Sequence, residues 1–71
     1  MNMWWLSYAD EQGFRGVVIV EADDFITACA KVGLSGLSPG GQVLGEPVHG
    51  IPPLLLNRLL TESELRSEGL L

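Results

Sequence analysis

Few side chains in this chain can do chemistry, and they are scattered. There is one histidine, His49, one cysteine, Cys29, and four cations, Arg15, Lys31, Arg58 and Arg66. His49 stands beside Gly50 in a proline-rich stretch, the setting of an exposed loop residue rather than of a positioned general base. Glu21 and Asp10 would partner it only if the fold happened to bring them near. Cys29 falls on an apolar stripe with no basic neighbour, so it reads as a small buried hydrophobe rather than a reactive thiol. Ser35 and Ser38 lack the strand-to-helix context of a nucleophile elbow.

The remaining opportunity is Gly33 to Gly41, which holds four of the nine glycines and Pro39. Successive backbone N–H groups can cradle an anion. Here the glycines follow a helix C-terminus, whose dipole repels anions, and no lysine follows as in a P-loop. The stretch therefore reads as a helix stop and a tight turn. Gly40 and Gly41 could still let the backbone approach a ligand closely. A nucleotide would then need a ring to stack on and a guanidinium for its phosphate. The candidates are Trp5, Tyr8, Arg15, Asn57 and Arg58. Each arginine also reads as an ordinary solvated side chain, and Trp4, Trp5 and Tyr8 as core.

The elements that must position these residues are legible in part. Met3 to Tyr8 and Gly16 to Ala22 read as strands, the second carrying four consecutive β-branched residues. The short link between them predicts an antiparallel hairpin. Trp4, Leu6 and Tyr8 face one way, and Met3, Trp5 and Ser7 the other. Val18, Val20 and Ala22 likewise oppose Val17, Ile19 and Glu21. Both faces are largely apolar, which calls for a cover on each side. A helix follows, capped by Asp23 or Asp24, with Phe25, Ala28, Cys29 and Val32 as its inward stripe. Gly36 is the expected stop. Gln42 to Val48 reads as a third strand, which Pro47 confines to an edge. Residues 49–60 read as a proline- and leucine-rich linker, with Leu54 to Leu60 either helical or extended. Thr61 and Glu64 form a capping box, and Leu60 and Leu65 a hydrophobic staple, predicting a short helix from about Glu62 to Glu68.

Size and charge set the outer limits. A chain of 71 residues is one small domain, and such domains are marginal without a staple. One cysteine allows no internal disulfide, and His49 with Cys29 is too few for a closed zinc site. The composition is 46% hydrophobic, with a mean hydropathy of +0.26. The two-sided strands and the small size together predict a homo-oligomer, a dimer foremost, unless residues 51–60 cover the second face. The apolar runs are too short for a membrane span, no secretory signal is visible, and a lone thiol suits a reducing cytoplasm. A net charge of −5 leaves no basic patch for nucleic acid. No cofactor is expected.

Three stretches carry a resemblance: Trp5-Leu6-Ser7-Tyr8-Ala9-Asp10, Gly16 to Ala22, and Gly36-Leu37-Ser38-Pro39-Gly40-Gly41-Gln42-Val43. With Leu56-Asn57-Arg58 they make the chain similar to a group of small proteins from phage and bacterial genomes. Gln42 stands where that group's pattern has an acidic residue. The resemblance brings no activity and no catalytic residues. It implies a setting, a phage-type accessory protein in the cytoplasm of a bacterial host.

The expected architecture is α+β, in the order β-β-α-β, with a three-stranded antiparallel or mixed sheet, one helix on one face and a capped helical tail. Residues 1–48 form the core, 49–60 the linker and 61–69 the tail helix. The expected function is a non-enzymatic counter-defence protein. It would sequester a small nucleotide signal in an oligomer or block a host defence protein. One alternative is a structural adaptor docking a larger partner through an apolar sheet face. Another is a small hydrolase using His49.

Overall fold

The computed structural model describes residues 2–71; Met1, the first residue of the expected domain, lies outside the described residues. The elements are β1 (Asn2–Asp10), β2 (Gly13–Ala22), α1 (Phe25–Ser35), β3 (Gln42–Val48), a 3-10 turn (Pro53–Leu55), β4 (Leu59–Leu60) and α2 (Glu62–Ser67). The class is α+β, as the sequence indicates. The sheet has four strands rather than three, in the order β3-β1-β2-β4, and every neighbouring pair is antiparallel.

The first two strands are longer than their apolar stretches. They meet through the two residues Glu11 and Gln12, with Asp10 opposite Gly13. Asp10 accepts a hydrogen bond from the Gln12 N–H at 2.8 Å, which ties the turn to its own strand. A bulge follows: Tyr8 pairs with Gly16 and Ala9 with Phe14, so Arg15 is the extra residue on β2.

The covering helix starts and stops where its local chemistry dictates. Asp24 is the N-cap, and its carboxylate accepts from the Thr27 N–H at 2.7 Å. Gly36 adopts the left-handed conformation at φ 74°. Its N–H reaches the Gly33 carbonyl, and the Leu37 N–H reaches back to Val32 at 3.2 Å. That closure orders the first half of the glycine-rich stretch. Ala28 and Val32 are fully buried against Leu6, Tyr8, Val18, Val20 and Ala22, with Phe25 and Cys29 alongside.

The second face has its own core of Val17, Ile19, Leu55, Leu60 and Leu65, flanked by Met3, Trp5, Val48, Ile51, Leu56 and Leu70. Its cover comes from the chain itself. This corrects the reading of residues 49–60 as a linker. Leu55 and Leu60 are core residues there, and Leu59–Leu60 pairs with Val18 and Val17 as β4. The segment is anchored further by the Asn57 N–H, which donates to the Ile19 carbonyl at 2.9 Å. A run of leucines has no period that distinguishes helix from strand, and two residues are too few to show alternation.

The tail helix is capped reciprocally. Thr61 accepts from the Glu64 N–H at 3.2 Å, and the Glu64 carboxylate accepts from the Thr61 N–H at 3.3 Å. Leu60 and Leu65, the expected staple, are both buried. The Leu70 N–H closes the C-terminal end on the Leu65 carbonyl at 2.8 Å. Two covers also mean that the two-sided strands by themselves no longer call for a second subunit.

If α2 is part of the core rather than an appendage, Leu65→Ala should cost about 2–5 kcal/mol, as for other buried leucines. Urea denaturation checks this, and a loss below about 1 kcal/mol would show that the tail is dispensable.

Candidate functional site

The residues singled out from the sequence do not converge on one place. Trp5 and Tyr8 point to opposite faces of β1, as strand alternation requires. Tyr8 is buried beneath α1 with Leu6 and Val18, whereas Trp5 is half-buried at the margin of the second core. The Tyr8 hydroxyl is pushed above its ordinary pKa, first by burial and then by Cys29, with an opposing contribution from Ser38. It is therefore a core residue and offers no open ring for stacking.

Both candidate arginines are already occupied. The Arg15 Nε lies 2.5 Å from the Asp10 carboxylate, and a terminal nitrogen of Arg15 donates to Gln12 at 3.3 Å. This pair follows from the bulge, which leaves Arg15 outside the strand register and beside the hairpin turn. Arg58 donates to Glu64 at 2.9 Å, next to the capping box. Asn57 adopts φ 60°, the left-handed conformation asparagine tolerates, where the chain turns from the 3-10 segment into β4. Asn57 and Arg58 thus serve the closure of the C-terminal segment.

Gly40 and Gly41 both have positive φ, 87° and 85°. At Gly41 a reason beyond the turn is visible: a side chain there would run into the Ala9 carbonyl, so the turn lies directly on the end of β1. The turn and the hairpin end enclose a shallow open depression of about 420 Å³, lined by Ala9, Asp10, Glu11, Gly41 and Gln42. The close backbone approach expected of Gly41 is therefore present, but it is made to the protein itself. The rim carries Asp10 and Glu11, so its charge suits a cation and disfavours a phosphate.

A second, smaller depression of about 200 Å³ lies on the same strand, between Trp5, Leu44, Gly45 and Glu46. The sequence reading missed this part of the surface. Leu44 is 78% exposed on the strand at the sheet edge. The signal was available: Gln42, Leu44 and Glu46 alternate with Val43, Gly45 and Pro47, and Leu44 falls on the polar side. A further missed feature is the outer face of α1, where Ile26 is 78% and Leu34 91% exposed. Lys31 is the only charged residue between Phe25 and Ser35, which already marks the helix as apolar all round.

The remaining nucleophile and base candidates stand apart. The Cys29 thiol is raised by burial, consistent with a packing role. His49 is exposed in the loop after β3. Among the described residues, no three His, Cys, Asp or Glu side chains are grouped to hold a metal ion, and no helix is long and apolar enough to cross a membrane.

The chain matches no protein-family model, no curated protein and no solved structure.

The hairpin-end carboxylate makes one testable statement. Asp10 titrates below its ordinary value, chiefly through the hydrogen bond from Arg15 and then that from the Gln12 N–H. A carboxyl depressed by folding stabilises the fold above its unfolded pKa and loses that contribution as pH falls through the lower folded value. Asp10→Asn should therefore melt earlier than the parent at about pH 7, with the gap closing below about pH 4. Thermal melts at the two pH values check this. A gap that stays constant would mean that the carboxylate's charge contributes nothing.

Proposed function

We propose that the chain is a non-enzymatic accessory protein of phage type that acts as a homodimer and blocks a host defence protein by occupying its surface. The phage setting and the bacterial cytoplasm come from the resemblance of the Trp5–Asp10, Gly16–Ala22 and Gly36–Val43 stretches. The mode of action comes from the surface.

The observation that carries this reading is the outer stripe of α1. Ile26, Ala30 and Leu34 recur at four-residue intervals, with Gly33 beside them, and all four are exposed. Lys31 is turned away to donate to the Glu21 carbonyl at 2.5 Å. The stripe therefore carries no charge, although the chain carries −5. Its spacing is symmetric about Ala30. An antiparallel crossing of two α1 helices would set Ile26 beside Leu34 of the partner subunit, twice over, as a two-fold interface requires. Ala30 and Gly33 are small enough for the helices to approach closely, and their dipoles would oppose.

Blocking a protein is favoured over sequestering a nucleotide because both candidate arginines are paired with carboxylates and the glycine turn carries an acidic rim. A nucleotide phosphate would have to displace Asp10 or Glu64.

Sedimentation velocity at micromolar concentration is the test. The parent should sediment as a dimer. Leu34→Lys and Ile26→Lys should each weaken association by at least about tenfold while leaving the circular dichroism unchanged, because both side chains are exposed in the monomer. A parent that remains monomeric at about 100 μM would dispose of the α1 dimer.

A further inference from the structure

We propose that the free edge of β3 receives an extended, basic segment of a partner protein as an added strand. This deepens the reading of the chain as a protein-binding module, and it stands on a different surface from α1.

The edge is open by topology. β3 is the terminal strand of the sheet and, among the described residues, pairs only with β1. Pro47 lies in register with Trp4, yet it has no N–H to give. A proline fits such a strand only where its nitrogen faces away from the neighbour. Along a strand the direction of the backbone groups alternates, so Gly45 and Val43 also turn their N–H and C=O outward. Two complete donor–acceptor positions are thus presented to an incoming strand.

The side chains next to this edge give the specificity. Gln42, Leu44 and Glu46 share one face with Trp5, Ser7 and Ala9, because they stand opposite Ala9, Ser7 and Trp5 in the register. Both depressions described above lie along this row, one at its Gln42 end and the other between Leu44 and Glu46. One is lined by Trp5 and Leu44 beside Glu46, and the other is bordered by Asp10 and Glu11. Strand addition draws affinity from main-chain hydrogen bonds and selectivity from pockets for alternate side chains. The row fits an apolar side chain over Leu44 and Trp5, with lysine or arginine two positions away on either side. Glu11 and Glu46 form no ion pair among the described residues, so their charge is free to attract a basic segment.

The same charges argue against a second copy at this edge. Its β3 would bring another Glu46 and no lysine or arginine, in a chain of net charge −5. Antiparallel pairing of two β3 edges therefore leaves Glu46 of each copy without a cation, where a basic segment would supply one.

Fluorescence anisotropy with a fluorescein-labelled heptapeptide alternating lysine with valine and leucine tests the assignment. Saturable binding is expected in the range of about 10–500 μM, as befits a small interface. The counterpart with glutamate for lysine should bind at least about tenfold more weakly, and N-methylation of alternate peptide nitrogens should abolish binding. Glu46→Lys should weaken the lysine peptide about tenfold with the circular dichroism unchanged. Gly45 is unsuitable for substitution, since a side chain there would meet Phe25 and Leu6. Equal binding of both peptides, indifference to N-methylation, or no saturation by about 1 mM would overturn the proposal. So would a dimer dispersed by Leu44→Lys but not by Leu34→Lys, which would put a second copy on β3. Leu34→Lys should leave peptide binding intact, so failure of the α1 dimer and failure of the β3 edge are read separately.

Discussion

The fold depends on one constraint, that the middle of β2 must be dry on both faces. Gly16 to Val20 are buried in succession, and Val17, Val18 and Ile19 have no exposed surface. A strand of this kind needs two covers, and a chain of this size has little material for them. One is an eleven-residue helix of which only Ala28 and Val32 are fully buried. The other is assembled from pieces: a 3-10 turn, two strand residues and a six-residue helix. The left-handed Asn57 and the capping box of Thr61 and Glu64 serve to bring those pieces back onto β2.

This constraint explains what could be read from the sequence and what could not. The hairpin was legible because β-branched runs and a short polar turn are local signals. An N-cap at Asp23 or Asp24, of which Asp24 takes the role, the stop at Gly36 and the capping box of Thr61 and Glu64 were legible for the same reason. β3 was placed with the bounds it has, as an edge strand, because Pro47 restricts where a strand can lie. β4 was hidden. Its two leucines become a strand only through pairing with Val17 and Val18, more than forty positions earlier, and nothing local announces that. Of the two covers open to the second face, residues 51–60 or a second subunit, the chain supplies the first, with Leu55 and Leu60 in the core there.

The candidate site was less legible than the fold, and for a related reason. Arginines and aromatics suggest ligand clamps by type, but type does not reveal who already holds them. Arg15 is claimed by Asp10 because the bulge places it beside the turn, and Arg58 by Glu64 because the capping box is close. Tyr8 is claimed by the core. What remains free is less conspicuous in a sequence: leucines on faces where polar residues belong, and backbone groups at the end of a sheet. Ile26 and Leu34 on α1 and Leu44 on β3 are of this kind.

The assembly of the second cover from C-terminal pieces also has a consequence for synthesis. The helix-covered face draws on residues no later than Val43, so it can close while the chain is still being made. The opposite face draws on Leu55, Leu60, Leu65 and Leu70, so it closes last, through pairings distant in sequence. Such non-local pairings are slow to form, and apolar surface exposed meanwhile invites aggregation. A nascent chain that has reached only Val48 therefore presents Val17, Ile19, Met3 and Trp5 uncovered. Ribosome stalling or proteolytic clipping ahead of Leu60 leaves a sticky half-sheet rather than a shorter version of the same protein.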